Sequence, residues 1–368
     1  MKYYVYAYNY LTLYKALTYA ENEWGFRNTS IIYTTFAEDA PRGLLDGRCN
    51  YHIITKEECI RSNTGLCLNY INRLKIDKVL SSKIVSIIKS EGQNDEICYV
   101  VFRDNWDRDV LTINLVKRTF RNCKIILIEE GLGLYATNVK TKQNVLYMCK
   151  KLVHLVMGVP TYSLEGFTHG LNPGVDEIIC KYPELLYKKV KNPRITIKKE
   201  IELYNKSYCQ NFVNNILKMG IPETTYRFVF LTQPLFPNND NKSNEQYDEF
   251  LRQIFSFTKQ YGPVLIKPHP KDKWDYHPYL TDKIDLCDPH LTKCPFECLM
   301  GYYGNPQTIT LYSSAGCSID TGKPNIFLYD MFPDLIRKDI FDEDFINNNN
   351  IQRCSNMQEF KAALIKEQ

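Results

Sequence analysis

Three short signals stand where apolar runs stop: Glu129-Glu130-Gly131, Lys267-Pro268-His269-Pro270 and Ser313-Ser314. A carboxylate within hydrogen-bond reach takes the proton of an attacking hydroxyl. A protonated imidazole stabilises a departing phosphate or gives it a proton. Tandem hydroxyls ahead of Ala315-Gly316 suit a strand-to-helix turn whose O–H and N–H groups cradle a phosphate. Together these parts serve transfer of a sugar from an anionic activated donor. Each also has a plainer use: two acids in a solvated turn, a histidine that hydrogen-bonds the fold, a serine N-cap. Pro268 and Pro270 stiffen the backbone around His269, and Lys267 and Lys271 tilt it towards phosphate. Gly131 and Gly133 let the chain turn tightly after the acids. A P-loop is absent and Gly131-Leu132-Gly133 lacks the third glycine of a dinucleotide fingerprint, so nucleoside triphosphates and nicotinamide cofactors are not expected.

Elements must present these groups. Tyr3–Tyr8, Ser30–Tyr33, Ile97–Phe102 and Lys124–Ile128 read as strands, and Val79–Lys89 and Val110–Thr119 as helices. Alternation of this kind favours a parallel sheet covered by helices. Residues 192–219 read as a charged connector containing a helix. A second alternation follows: strand Phe228–Leu231, an exposed polar loop over Pro237–Asn244, helix Gln246–Tyr261, then strands Val264–Ile266, Lys283–Leu286, Thr308–Leu311 and Asn325–Leu328. Met357–Ile365 reads as a last helix. The expectation is an α/β chain of two facing Rossmann-like domains with a central cleft. The N-terminal, acceptor-side domain and connector span 1–220, a second domain 221–345, and 346–368 pack back on either. Ligands of open parallel sheets bind beyond the carboxyl ends of strands. All three signals fall there.

Composition narrows the classes. The 368 residues, 44% hydrophobic, supply a substantial core. A net charge of +4, dispersed along the chain, gives no case for nucleic acid. Lysines between Lys188 and Lys199 read as a solvated face, or as part of a track for an anionic glycan or lipid surface. No run of ~18 apolar residues predicts a transmembrane helix. Tyr3–Ala20, interrupted by Asn9 and Lys15, lacks a signal peptide's apolar core, so a cytoplasmic location with peripheral contact at the inner membrane is expected. Thirteen scattered cysteines suit reduced, buried thiols. His290, Cys294 and Cys298 supply three ligands without a second pair, so no metal is expected.

In order and spacing, Glu129-Glu130-Gly131, His269-Pro270 and Ser313-Ser314 resemble the motifs of the bacterial sialyltransferases and polysialyltransferases. Pro295-Phe296-Glu297, 28 residues after His269 and 16 before Ser313, is similar to that group's ribose-binding Pro-x-Glu element. Thr232-Gln233-Pro234-Leu235 resembles the opening of the second domain in the capsule and lipooligosaccharide branches. Asn9-Tyr10-Leu11-Thr12 departs from the Thr-Pro-x-His sequence of some relatives. The resemblance implies a GT-B fold, CMP-sialic acid bound mostly by the C-terminal domain, and inverting transfer without metal or other cofactor. Glu129 would be the base, with Glu130 in reserve. His269, Ser313 and Ser314 would receive the phosphate, Glu297 the ribose, and Lys267, Pro270, Thr232 and Gln233 would line the donor. The acceptor would be an oligosaccharide or sialylated surface glycan. A relative using CMP-Kdo or a nucleotide-hexose, and a glycan-binding or assembly protein that has lost transfer, are the alternatives.

Overall fold

The structure, a computed structural model, describes residues 1–36, 39–41, 49–59, 69–92, 96–135, 145–161, 164, 170, 172–221, 224–237, 240–313, 315–317, 322–332, 343–348 and 350–365. It divides into two compact units, Met1–Leu203 and Tyr204–Gln368.

In the first unit, strands β1 (Lys2–Ala7), β2 (Thr29–Thr34), β3 (Asn50–Ile54), β4 (Ile97–Val101), β5 (Cys123–Ile128), β6 (Glu177–Cys180) and β7 (Thr196–Lys199) form one sheet, in the order β3-β2-β1-β4-β5-β6-β7. Every pairing is parallel; Val5 of β1 lies between Ile31 and Val100. Helices α1 (Tyr10–Tyr19), α2 (Lys56–Cys59), α3 (Asn69–Glu91), α4 (Asp107–Thr119), α5 (Val145–Met157) and α6 (Pro183–Tyr187) join the strands. β2, β4 and β6 are buried along their whole length. This is why β2 and β4, expected here together with β1 and β5, read as near-continuous apolar runs, whereas the equally buried β6 was not among the expected strands. β7 was hidden in the expected connector: Thr196-Ile-Lys-Lys is mostly exposed, and lysines on an edge strand discourage further pairing.

The second unit repeats the plan. Strands β8 (Phe228–Leu231), β9 (Val264–Lys267), β10 (Ile284–Leu286), β11 (Gln307–Thr310), β12 (Asn325–Phe327) and β13 (Ile351–Arg353) lie parallel in the order β10-β9-β8-β11-β12-β13. Its helices are α7 (Lys206–Asn211), α8 (Asn241–Tyr261), α9 (Phe296–Leu299), α10 (Glu343–Asn348) and α11 (Met357–Ile365). Three expectations change here. The polar stretch after Pro237 is helix from Asn241 onward, because Asp240 caps it by accepting from Lys242 N at 3.2 Å. The unit boundary falls at Tyr204 rather than 221, because α7 packs on α9. Residues 346–368 belong to this unit, contributing β13 to its sheet and packing α11 on α8.

In each sheet the strand order reverses once, between β1 and β4 and between β8 and β11. That reversal leaves a crevice at the carboxyl edge of a doubly wound sheet.

Candidate active site

Glu129 and Glu130 leave β5 at that edge of the first sheet. Glu129 is 9% exposed. Its Oε2 accepts from the Tyr135 hydroxyl and, at 2.8 Å, from Lys181 N just beyond β6. Tyr135 in turn accepts from Tyr182 N at 3.0 Å. Burial, then the Glu129 charge, pushes the Tyr135 phenol far up, so it stays a donor. Among the described residues Glu129 Oε1 has no hydrogen-bond partner. The carboxylate is thus pinned by one oxygen and open at the other.

Two residues that interrupt the first apolar stretch hold the pair. Lys15, 3% exposed on α1, donates to the Glu129 carbonyl and lies 3.8 Å from Glu200 Oε2. Asn9 caps α1 by accepting from Thr12 N at 2.8 Å, and its Nδ2 donates to Glu130 Oε1 at 3.1 Å. The segment that departs from the Thr-Pro-x-His sequence is therefore a capping box that also orients an acid. Beside it, the Arg103 guanidinium lies 3.8 Å from the Tyr8 ring and 4.4 Å from that of Trp106. Gly131 precedes a 3-10 turn, Leu132–Leu134, whose middle residue is Gly133.

In the second unit the groups cluster about the reversal between β8 and β11. Thr232 Oγ1 accepts from His269 N at 2.9 Å and donates to Asp272. Asp272 also accepts from Tyr276 O–H at 2.8 Å and Trp274 N at 3.0 Å, while its own N–H donates to the His269 carbonyl. Trp274 meets the Tyr247 ring of α8 edge-on at 5.0 Å. The loop is therefore held by a buried threonine, a carboxylate hub and aromatic packing as well as by its prolines. His269 Nδ1 accepts from Lys271 N at 3.1 Å, which leaves the proton of the neutral ring on Nε2. Burial, then Lys271 and Lys267, holds the imidazole below its ordinary value of 6.5. In the free protein the neutral ring is thereby an Nε2–H donor.

Lys267 is 7% exposed and donates to the Thr292 carbonyl at 2.9 Å, tying β9 to the segment that leads into α9. Gln233 is half-buried and Pro270 exposed. Ser313 follows β11: its N–H donates to Thr310 Oγ1 at 3.0 Å, and its Oγ lies 3.4 Å from Ala315 N. The serine side chain thus turns back on the backbone two residues ahead. Ser314 lies outside the described residues. α9 packs on the Ala315–Cys317 turn and carries Glu297, 5% exposed. Glu297 lines a cavity of about 220 Å³ with Tyr204, Lys206, Gln210 and Tyr302. His290 is exposed, whereas Cys294 and Cys298 are buried thiols pushed up by desolvation. Among the described residues no three His, Cys, Asp or Glu side chains are grouped to hold a metal, and the described cysteines are free.

The sequence matches the family described as alpha-2,8-polysialyltransferase over residues 54–299, about two thirds of the chain. The chain belongs to the alpha-2,8-polysialyltransferase family. It is accordingly a glycosyltransferase of the sialyltransferase type. No curated protein matches the chain. Among solved structures it is similar to the UDP-GlcNAc 2-epimerase of Methanocaldococcus jannaschii, in complex with UDP-GlcNAc and UDP, with TM-score 0.53 and 12% identity over 99% of this chain and 92% of that one. A sialyltransferase from Photobacterium damsela gives TM-score 0.46 and 12% identity over 99% and 80%. The first bears on the fold, which is of the GT-B type.

Asn9, Lys15, Tyr135 and Lys181 around the acids, and Asp272 beside the histidine, escaped the sequence reading. Asn9-x-x-Thr12 is a legible capping signal. Lys15 and Lys181 carry no local signal, since they lie 114 and 52 residues from Glu129, whereas Tyr135 and Asp272 stand close in sequence to the groups they serve. Within the expected basic track, Lys189 donates to the Leu134 carbonyl and Lys198 pairs with Glu177 at 2.8 Å, so both serve the fold.

Proposed function

We propose that this polysialyltransferase-family enzyme transfers sialic acid from CMP-sialic acid to a hydroxyl of a sialylated surface glycan in α-2,8 linkage. The transfer inverts the anomeric carbon and needs no metal. The observation that carries the reading is the pinned Glu129, with Oε2 engaged twice and Oε1 open, at the carboxyl end of a parallel strand.

The acceptor oxygen forms a bond to the anomeric carbon while the bond from that carbon to the CMP phosphate breaks. Glu129 takes the acceptor proton. Charge gathering on the phosphate meets His269 Nε2–H and the Ser313 hydroxyl. A single phosphate monoester leaves, so one imidazole and hydroxyl donors suffice where a diphosphate would call for a cation. Phosphate nearby also favours protonation of His269, opposing the two lysines. Glu297 accepts from the ribose hydroxyls. Thr232 and Lys267 act by holding His269 and the Thr292 segment in place. No helix among the described residues is long and apolar enough to cross a membrane. We place the enzyme in the cytoplasm, in peripheral contact with the inner membrane.

The test is CMP release without added metal from CMP-sialic acid, CMP-Kdo and nucleotide-hexoses, each against lactose and oligosialic acid. Release from CMP-sialic acid that depends on oligosialic acid is expected. Release from another donor alone overturns the substrate, and none from any donor favours a binding protein. Glu129→Gln should abolish transfer while CMP still binds; unchanged turnover passes the base to Glu130.

A further inference from the structure

α5 is apolar on two sides. Its inner face is fixed: Tyr147 is buried, and the His154 ring, fully buried, lies 2.6 Å from the Tyr70 hydroxyl through Nε2 and 2.9 Å from the Pro160 carbonyl through Nδ1. The opposite face is bare. Val145, Met148, Leu152, Leu155 and Val156 are 81%, 59%, 62%, 74% and 79% exposed. Successive helix positions turn by about 100°, so these five fall on one arc of about 100° running the ~20 Å length of the helix. A contiguous apolar stripe of this kind marks an interaction surface.

Charge says what covers it. Between Glu130 and Glu165 the sequence has four lysines and no acid. Lys150 and Lys151 lie on α5 itself, over the rings of Tyr70 and Tyr147. Directly after the helix, Gly158 and Pro160 line a cavity of about 290 Å³ together with Lys78 and Arg118. A second copy docked face to face on this stripe would set these cations against their own equivalents. An anionic bilayer supplies both halves of the match: acyl chains for the stripe and headgroups for the lysines.

We propose that the outer face of α5 lies in the surface of an anionic lipid bilayer, with Lys150, Lys151 and the cavity bearing Lys78 and Arg118 meeting its headgroups. This rests on the peripheral attachment proposed above and gives it an element; it does not depend on which sugar is moved. The full chain is sedimented with vesicles of equimolar phosphatidylglycerol and phosphatidylcholine, and with phosphatidylcholine alone, at low and high salt. CMP release on soluble oligosialic acid is read on the same preparations. Binding to the anionic vesicles is expected, weakened by salt, and reduced at least about tenfold in L152E/L155E, with soluble-acceptor turnover retained. Should the glutamates unfold the helix, L152S/L155S takes their place. Failure of the unaltered protein to bind anionic vesicles, equal binding by the variants, or a dimer in light scattering that the variants dissolve would each overturn the proposal. Loss of CMP release from every preparation would instead count against the transferase reading.

Discussion

Replacing Lys15 by methionine removes a buried cation that serves two groups, the Glu129 carbonyl and the Glu200 carboxylate. Burial pushes Glu200 up to about 7 from its ordinary 4.5, with Lys15 the largest opposing influence. Because the folded value is the higher one, the folded chain holds a proton that the unfolded chain has lost between those limits. Stability therefore falls as pH rises through the window and levels off above it. At about 1.4 kcal/mol per pH unit, the gap is worth about 3 kcal/mol. Without Lys15 the folded value climbs further, so the fall continues past pH 7. Near pH 5 Glu200 is neutral in the folded state, and the variant loses chiefly one hydrogen bond, about 1–2 kcal/mol. At about pH 8 it leaves a buried carboxylate without its cation, about 3–5 kcal/mol. Urea unfolding at both pH values measures the difference, and Glu200→Gln in the Lys15→Met background should recover most of the loss at pH 8. Equal destabilisation at the two pH values, or no recovery, would refute the reasoning. Turnover should fall too, since Lys15 anchors the backbone of Glu129.

Thr232→Val should destabilise by about 2–4 kcal/mol, since one buried hydroxyl serves the His269 N–H and the charged Asp272. It should lower kcat at least about tenfold with little change in KM for the donor. Thr232→Ser should restore both, and a variant with normal kcat would remove Thr232 as the positioning residue for His269. In the ligand-free protein, the His269 ring should titrate below 6.5 by NMR, and Lys271→Ala should move its midpoint upward; a midpoint at or above 6.5 would contradict the burial and charge argument.

Much of the scaffold was legible because parallel strands buried on both faces leave uninterrupted apolar runs. Ile125–Ile128 and Val264–Ile266 are such runs, and the acidic pair and the histidine loop sit where they end. β3, β6, β7 and β13 were not read: β6 is buried throughout, but Glu177–Cys180 is only four residues long and opens on a glutamate. Asn50–Ile54 and Thr196–Lys199 are largely open to solvent, and Ile351–Arg353 has three residues, so pairing with a neighbour makes them strands. The start of α8 was misread as loop because Asn241-Lys242-Ser243-Asn244 is polar throughout, and only the Asp240 cap marks it.

The sequence by itself determined the two alternating halves, the acids after β5, the histidine after β9 and the serine after β11, because strand hydrophobicity and the types of residue that follow are local properties. Only the tertiary structure decided what each group is free to do. Lys15 and Tyr135 fix Glu129 from opposite directions along the chain, Lys181 N reaches it from beyond β6, and Thr232 joins β8 to the His269 loop across 37 residues. Such partnerships have no signature in either segment alone. They arise when parallel strands bring their carboxyl ends to one edge, where a buried polar group must find its partner in whichever loop lies beside it.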